Sequence, residues 1–359
     1  MTHRCSHKSD ILEKQKNEGI GVQEQKYCLL CGNEGVFLYR ALRDRLFEAP
    51  GTWSLMRCPN CDLIWLNPQP LPEDLYKLYE SYFTHEAPQT AHVSHAWLRR
   101  AYSIVKEGYL AVKYGYGNAL IPFWKKCCSI FMVLDPGRRA DLDCSVMYLR
   151  ARPNGRLLDV GCGNGELVKR MQDLGWTVEG VDFDPIAVEN LQKEGLPVRL
   201  GTLEAQQYPD NHFDAITMSH LIEHVHNPLQ LLRECRRILN PSGRLVVTTP
   251  NSKSLGHRMF KYHWLALDPP RHLHIFTALT LRGLGEKAGF LKPKVFTTIR
   301  NANDILIASQ SIRNTGKYVW GSLPLRRTRI WARAMQFMEW VILKVKPDMG
   351  EEIAFVADK

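Results

Sequence analysis

Short apolar runs alternate with amphipathic stretches through the second half of the chain, from Arg156 onward. Such runs are typical of buried strands, whereas apolar side chains three and four residues apart are typical of helices packed on one face. The runs that predict strands are RLLDV, TVEGVD, PVRLG, FDAITMS, RLVVTTP and EEIAFVA, and the clearest helices are ELVKRMQDLGW and PLQLLRECRRIL, the second closed by a turn at residues 240–243. The alternation predicts an α/β fold, a parallel sheet covered on both faces with ligands at the carboxyl ends of its strands.

The first half of the chain has a different pattern. Polar residues dominate its start and predict a disordered tail. A cysteine-containing unit follows and ends in prolines, after which a helix begins near Pro72 and leads into apolar and basic helical stretches. The predicted units are a tail over 1–25, a zinc ribbon over 26–68, a helical connector or cap over 69–152, and the α/β domain over 153–359 with a basic amphipathic insertion at about 313–349.

Four cysteines form two CxxC pairs around the strand-like VFLYR: Cys28, Cys31, Cys58 and Cys61. Four thiolates at this spacing can enclose Zn²⁺ tetrahedrally. A unit this small cannot hold a core of its own, so we predict a structural zinc; a redox or substrate-contacting role is the alternative. The remaining cysteines show no ligand spacing and are predicted to be free thiols: Cys5, Cys127, Cys128, Cys144, Cys162 and Cys235.

A glycine-rich turn follows the first predicted strand of the α/β domain. Its glycines, Gly161, Gly163 and Gly165, allow the backbone to approach a ligand closely, and Asp182 ends the next strand, where a carboxylate can bind a ribose diol. The turn departs from the dinucleotide pattern, because the third glycine of GxGxxG is missing and Asp159 precedes the turn. An acid at that position can meet a cationic amino group, so the loop suits an aminoacyl nucleoside.

The segments LLDVGCGNGELVKRM, VEGVDFDPIAVENL, FDAITMSHLIEHVHNP and LLRECRRILNPSGRLVVTTPN resemble, in order, the motifs of class I methyltransferases, nearest the ubiquinone-biosynthesis-like branch. The resemblance covers roughly residues 153–300. It implies a Rossmann-like seven-stranded sheet in the order 3-2-1-4-5-7-6 that binds S-adenosylmethionine over the carboxyl ends of its first strands. The implied cofactor contacts are Asp159, Gly161, Cys162, Gly163 and Gly165 around the methionine end, Asp182 and Phe183 at the ribose and adenine, and Leu203 and Glu204 beside the adenine.

Histidines follow the fourth and fifth predicted strands, where the acceptor of the methyl group should lie. We predict His224 and His272 as general-base candidates; the alternative is that they hydrogen-bond loop backbone and shape the pocket. The string His220-x-x-Glu223-His224 also matches the H-x-x-E-H of zinc peptidases. Metal-assisted relatives of the resembled family carry E-x-x-E-H there, so a divalent metal aided by His272 or His274 is a further hypothesis.

The chain carries a formal charge of +10, concentrated at 99–139 and 313–346. This favours an anionic partner such as nucleic acid, a membrane surface or a phosphorylated substrate, and a solvated basic face is the alternative. Within TRIWARAMQFMEWVILKV one helical face is apolar and the other polar, which predicts either a helix packed on the domain or an interfacial helix approaching a lipid-linked substrate. The apolar face contains Ile330, Ala334, Met338, Val341 and Val345; the opposite face contains Arg329, Arg333 and Gln336.

A hydrophobic content of 45% with 10% aromatics is ordinary for a globular protein. The polar N-terminus has no signal-peptide core and no uncharged apolar run approaches the ~20 residues of a spanning helix, so we expect a cytoplasmic protein with peripheral membrane contact at most.

Three functions follow from these patterns. The first is methyl transfer to a small-molecule or glycan acceptor, including a lipid-linked one, because WLALDPPRHLHIFT resembles loops of zinc-ribbon methyltransferases that modify sugars and cell-surface polysaccharides. The second is an RNA methyltransferase whose ribbon binds RNA, although no Asn-Pro-Pro-Tyr-type motif follows the fourth strand. The third is a non-catalytic scaffold, for which a degraded glycine loop would be expected, and this loop is intact.

Overall fold

The computed structural model describes residues 15–79, 96–117 and 120–359. The strands within them are β1 (Gln15–Asn17), β2 (Ile20–Gln23), β3 (Val36–Leu42), β4 (Trp53–Arg57), β5 (Ile64–Leu66), β6 (Gln69–Pro70), β7 (Arg156–Val160), β8 (Thr177–Asp182), β9 (Val198–Leu200), β10 (Phe213–Ser219), β11 (Leu239–Pro250), β12 (His274–Ile275), β13 (Lys294–Thr298) and β14 (Glu352–Asp358). The α-helices are α1 (Ala96–Tyr114), α2 (Phe123–Cys128), α3 (Pro136–Ser145), α4 (Glu166–Asp173), α5 (Pro185–Lys193), α6 (Pro228–Ile238), α7 (Leu255–Phe260), α8 (Ala278–Lys287), α9 (Ala302–Thr315) and α10 (Arg326–Ile342).

A seven-stranded sheet forms the centre of the α/β domain, in the order β13-β14-β11-β10-β7-β8-β9. Numbered among themselves along the chain and read from the β9 edge, its strands follow the order 3-2-1-4-5-7-6. The pairs from β9 to β11 are parallel, and β14 is antiparallel to both neighbours. The predicted α/β Rossmann-like fold is confirmed.

The turn predicted at residues 240–243 falls inside β11 rather than before it. Leu239 pairs with Phe213, and the next pair joins Arg244 to Ala215, so the four turn residues form an irregular insertion between two paired positions. The sequence predicts the turn at the right residues, but β11 already begins at Leu239, before the turn.

Apolar residues along each central strand alternate between the two faces of the sheet. Leu157 packs in a cluster with α1, α3, α4 and α5, whereas its neighbour Leu158 packs in a cluster with α6 and α8. Both side chains are completely buried. Helices therefore cover both faces, and the connector helices α1 and α3 form part of one cover.

The ribbon is joined to the α/β domain by backbone pairing. Strands β3, β4 and β5 form an antiparallel sheet whose fourth strand is β12, from the loop region after β11. Behind this sheet Arg271, with a fully buried side chain, donates to both carboxylate oxygens of Asp44 at 2.7 and 2.8 Å and also pairs with Asp268. The ribbon and the loop around Arg271 are thus one packed structure.

Ordered structure begins inside the segment that was predicted to be a tail. Strands β1 and β2 pair with each other, β2 pairs with β6, and Ile20 is 1% exposed. The prediction of disorder over residues 1–25 is therefore wrong from residue 15, because partners distant in sequence stabilise these short strands. Cys5 and the rest of residues 1–14 lie outside the described residues.

The connector contains a 3-10 turn at Pro72–Leu78, where a helix was expected, followed by α1, α2 and α3. Helices α9 and α10 fill the segment between β13 and β14. Helix α10 does not pack on the domain by the apolar face that the sequence predicts. Ile330, Met338 and Val341 of that face are exposed to solvent, while Ala332 and Glu339 are buried. If this helix packs by its apolar face, it does so on something other than its own domain. Among the described residues no helix combines the length and apolarity that crossing a bilayer requires.

Candidate functional site

A cavity of about 840 Å³ opens at the carboxyl ends of β7, β8, β10 and β11. Its wall contains the glycine turn, Asp159, Asp182, Phe183, His224 and His272, together with Tyr79 from the end of the connector's first turn. Residues predicted from separate motifs therefore share one cavity.

The glycine turn adopts backbone conformations that favour glycine. Gly161 has a φ of +74°, and a Cβ there would lie 2.9 Å from Leu221. Gly165 has a φ of +70°, precedes the first turn of α4, and a Cβ there would lie 2.6 Å from Leu191. Gly161 and Gly163 line the cavity and Gly165 does not, so the structure gives Gly165 a packing role behind the turn.

Two buried carboxylates flank this turn. Asp159 accepts a hydrogen bond from Thr217 Oγ1 at 2.8 Å, and burial, with a smaller contribution from Asp182, raises its pKa to about 7. Asp182 accepts from the backbone N–H of Gly163 at 2.8 Å and of Asp184 at 3.0 Å, and burial raises its pKa. Asp182 thus holds the turn in place, and a cation bound nearby would favour the ionised form of Asp159.

Of the predicted adenine contacts, Phe183 lines the cavity, whereas Leu203 and Glu204 do not. Phe183 lines the cavity, is 40% exposed, and packs edge-to-face on Tyr79 with ring centroids 5.2 Å apart. Leu203 is buried in the cluster beneath α6, and neither it nor Glu204 is among the residues that line the cavity. Cys162 is buried and lines the cavity next to Gly180.

The two predicted histidines lie side by side, with ring centroids 4.7 Å apart. Nδ1 of His224 is 3.0 Å from the carbonyl oxygen of Arg271, and Nδ1 of His272 is 2.8 Å from that of Ala266. A carbonyl oxygen can only accept, so each Nδ1 donates and each Nε2 keeps its lone pair in the neutral ring. Burial, with the adjacent His272, lowers the pKa of His224 to about 4, so His224 is a neutral base at pH 7.

A network that the sequence did not indicate joins His220 to the last strand. His220 contacts Glu223 at 3.2 Å and Glu352 of β14 at 2.8 Å, and Arg300 donates to Glu352 at 2.7 Å. Burial opposes protonation of His220, but the two carboxylates outweigh it and raise its pKa to about 9. Burial likewise opposes ionisation of Glu223, yet His220 lowers its pKa to about 2. The sequence signal for this link to β14 is the acidic pair Glu351 and Glu352 at the start of an otherwise apolar strand.

Residues 137–292 match a protein-family model described as a methyltransferase domain. The chain is 31% identical over 145 residues to the ubiquinone biosynthesis O-methyltransferase of Thiobacillus denitrificans, covering 38% of this chain and 59% of that protein. It is 32% identical over 161 residues to that of Actinobacillus pleuropneumoniae, covering 41% and 65%. The α/β domain is therefore similar to a methyltransferase domain, and that name is used for it below. It spans less than two thirds of the length of these relatives.

Solved structures are similar at lower identity. A SAM-dependent methyltransferase from Archaeoglobus fulgidus is 20% identical, with a TM-score of 0.43, over 64% of this chain and 99% of that one. Phosphoethanolamine N-methyltransferase 2 of Haemonchus contortus, solved with S-adenosyl-L-methionine, is 17% identical, with a TM-score of 0.42, over 83% of this chain and 64% of that one.

The four ribbon cysteines converge next to the methyltransferase domain. Their sulfurs lie 3.5 Å apart for Cys28 and Cys61, 3.3 Å for Cys31 and Cys58, and 3.8 Å for Cys31 and Cys61. A tetrahedron with Zn–S bonds of about 2.3 Å places its sulfurs about 3.8 Å apart, so the cluster fits a zinc ion after small adjustments. Each CxxC pair closes through a backbone hydrogen bond to the carbonyl of its first cysteine.

A second group of metal-ligating atoms lies in the methyltransferase domain itself. One ligand atom each from Glu223, His224 and His272 falls within 4.8 Å of the others. However, both oxygens of Glu223 already accept hydrogen bonds, from His220 and Thr249. His274 belongs to β12 in the ribbon sheet and does not line the cavity. Glu223 would therefore have to bind a metal with oxygens that also accept hydrogen bonds, and the hypothesis of a divalent metal stays a prediction.

Proposed function

We propose that this chain transfers a methyl group from S-adenosylmethionine to a hydroxyl group of a small-molecule acceptor. One observation carries the proposal: within the segment that matches the methyltransferase family, Asp159, Asp182 and the neutral base His224 face the same cavity. The curated relatives are named as O-methyltransferases, which supports an oxygen acceptor.

The cavity residues fit this cofactor. Asp159 uses Oδ1 for Thr217, and among the described residues no partner takes Oδ2, which leaves an acceptor for an ammonium group. Asp182 has oxygen lone pairs beyond its two backbone hydrogen bonds, and these can accept from ribose hydroxyls. Phe183 offers an exposed ring beside them for stacking on adenine. When bound, S-adenosylmethionine supplies an electrophilic methyl group on a sulfonium.

His224 is proposed as the general base. Its Nδ1–H is held by the Arg271 carbonyl, and the Tyr79 hydroxyl lies 3.0 Å from the same nitrogen, so the ring is fixed with Nε2 free. Nε2 would take the hydroxyl proton as the acceptor oxygen bonds to the methyl carbon and the carbon–sulfur bond breaks, with its electron pair left on the sulfur of the departing thioether. The imidazolium would then release that proton to water. His272 is proposed to hold the His224 ring in position.

We also propose structural zinc at the four cysteines, and an acceptor that includes glycans and lipid-linked compounds. The lipid-linked class is supported by the position of Tyr318 and Trp320, which line the cavity and come from the loop that leads into α10.

Two variants test the proposal. Asp182→Ala should lower affinity for S-adenosylmethionine in isothermal titration by about tenfold or more, since it removes ribose hydrogen bonds and loosens the turn. The exposed Asp173→Ala, at the end of α4, is the matched control. His224→Gln should keep that affinity and lose about 10²- to 10⁴-fold in the rate of radiolabelled methyl transfer, whereas His263→Gln, outside the cavity, should not.

The acceptor fraction is found by offering labelled cofactor with lipid, glycan and RNA extracts. Label in the small-molecule, glycan or lipid fraction supports the proposal, and label in RNA alone would replace it with the RNA methyltransferase. A wild-type protein that binds the cofactor and labels no fraction would favour a scaffold.

A further inference from the structure

Helix α10 exposes a stripe of apolar side chains to solvent, in addition to the side by which it packs on the protein. Ile330 is 60% exposed, Phe337 52% and Val341 47%, and at 100° per residue these three positions form one stripe along the helix. The opposite side is packed through Ala332 and Glu339, both 0% exposed. Trp331 and Met335 also pack against the core, so the exposed stripe is an apolar area beyond the one that holds α10 on its own domain.

A second exposed apolar segment, residues 120–134, lies in the connector just before α3, and we call it the apolar shoulder. Its exposed side chains are Leu120, Phe123, Trp124, Ile130, Phe131, Val133 and Leu134. The shoulder runs directly into α3, and there Gly137 faces Gln336 of α10 so closely that a Cβ would lie 2.7 Å from its amide oxygen. This contact places α3, into which the shoulder leads, against the middle of α10, so the two apolar areas lie on neighbouring elements.

Positive charge borders this surface. Residues 313–346 contain eight Lys and Arg and a single acid, Glu339, which is buried. Arg326, Arg327 and Arg329 form no ion pair with any residue in the described ranges and lie on either side of the α10 stripe. An apolar strip with a basic border and exposed aromatic rings matches the boundary between acyl chains and anionic headgroups.

The same charges disfavour other occupants. A second copy of the chain docking through this surface would bring the arginines of α10 against each other, which is repulsive. Nucleic acid would satisfy the arginines but would leave Ile330, Phe337 and Val341 against phosphate and water. An anionic bilayer satisfies both parts of the surface at once.

We propose that the exposed stripe of α10 and the apolar shoulder dock this protein on the surface of an anionic lipid bilayer. The docking depends only on this surface, whereas its use in reaching a lipid-linked acceptor rests on the proposed methyl transfer. Tyr318 and Trp320 connect the two, because they line the cavity and precede α10 by a few residues. The helix would lie in the interface, and the cavity entrance would be near the headgroups.

Co-sedimentation of the full chain with vesicles tests the docking without any cofactor. We expect binding to vesicles of phosphatidylcholine with phosphatidylglycerol, weaker binding in high salt, and little binding to phosphatidylcholine alone. Phe337→Ser/Val341→Ser should weaken binding by about tenfold or more, because two inserted side chains are lost. Replacing Arg326, Arg327 and Arg329 by Gln should cost about fivefold for each arginine at low salt.

The matched control is Leu279→Ser/Leu291→Ser, since Leu279 and Leu291 are as exposed as the α10 side chains but lie at either end of α8. Circular dichroism melting checks that each variant is folded. The proposal is overturned if wild type does not bind anionic vesicles at low salt, if the α8 control weakens binding as much as the α10 variant, or if the α10 variant instead dissolves a dimer seen by sedimentation. Vesicle binding by a chain that transfers no methyl group would uphold the docking and refute only the proposed activity.

Discussion

Removal of the Asp44 carboxylate should destabilise the whole protein more than any single surface charge. The side chains of Asp44 and Arg271 are both 0% exposed, and they share two hydrogen bonds of 2.7 and 2.8 Å between the ribbon and the methyltransferase domain. Asp44 also accepts from the backbone N–H groups of Leu46, Phe47 and Ala49. Asp44→Ala would therefore remove one counter-charge of a buried guanidinium, which still pairs with Asp268, and would leave three amides without this acceptor.

The expected loss follows from these contacts. Removing one partner of a buried ion pair costs about 3–5 kcal/mol, because the other charge stays buried. Each amide left unsatisfied would add up to about 1 kcal/mol, which water entering the new space would partly offset. We expect a decrease of about 4 kcal/mol in the free energy of unfolding for Asp44→Ala. Asp44→Asn, whose amide oxygen can still accept from the backbone, should lose less.

Urea unfolding followed by tryptophan fluorescence measures this change as a shift in midpoint at similar slope. Glu48→Ala is the control, since Glu48 also joins the ribbon to the methyltransferase domain, through Lys317, but is 73% exposed in an exposed pair. That variant should lose no more than about 0.5 kcal/mol. Equal small losses for Asp44→Ala and Glu48→Ala would refute the argument that the buried pair holds the two units together.

Three further outcomes are expected. The purified protein should contain one zinc per chain by atomic emission. Cys58→Ser should lose this zinc and melt several degrees lower, whereas Cys127→Ser, which changes an exposed thiol, should keep the zinc and the wild-type melting temperature. As pH is lowered, the logarithm of kcat/KM should begin to fall near pH 4 rather than near 6.5, because burial lowers the pKa of His224 to about 4. A fall that begins near pH 6.5 would exclude His224 as the base. Stability should fall as pH rises from about 4.5 to 7, because burial raises the pKa of Glu351 to about 7 and of its neighbour Glu339 well above 4.5, so that the unfolded chain releases protons across that range while the folded protein retains them. Glu339→Gln should flatten this dependence in melting curves and Glu286→Gln, on the exposed side of α8, should leave it unchanged.

The central sheet could be predicted because neighbouring residues in the sequence suffice to identify each of its main strands. The inner strands of the parallel core are short apolar runs buried on both faces, as at Leu157 and Leu158 in β7, and a glycine turn marks the end of β7. The glycine turn and Asp182 were predictable for the same reason, since their spacing follows directly from one strand-turn-helix-strand unit.

The rest depended on contacts between distant segments. Strand β2 is ordered by β6, some forty-six residues later, and His220 acquires its charge from Glu352, 132 residues later. Periodicity located the apolar face of α10 but could not show where that face points. An amphipathic helix has the same pattern whether its apolar side meets protein or lipid.

The ribbon is connected to the proposed base even though none of its four cysteines, Cys28, Cys31, Cys58 and Cys61, lines the cavity that contains His224. Zinc would hold β4 and β5 in place, β5 pairs with β12, and Asp44 fixes Arg271, whose carbonyl oxygen orients the His224 ring. Tyr79, which follows the ribbon, contacts the same nitrogen. The proposed cofactor contacts at Asp159 and Asp182, by contrast, come from β7 and β8, and their hydrogen bonds described above involve no ribbon residue. Loss of zinc should therefore slow methyl transfer well before it weakens cofactor binding, because the metal would support the proposed base and not the glycine turn.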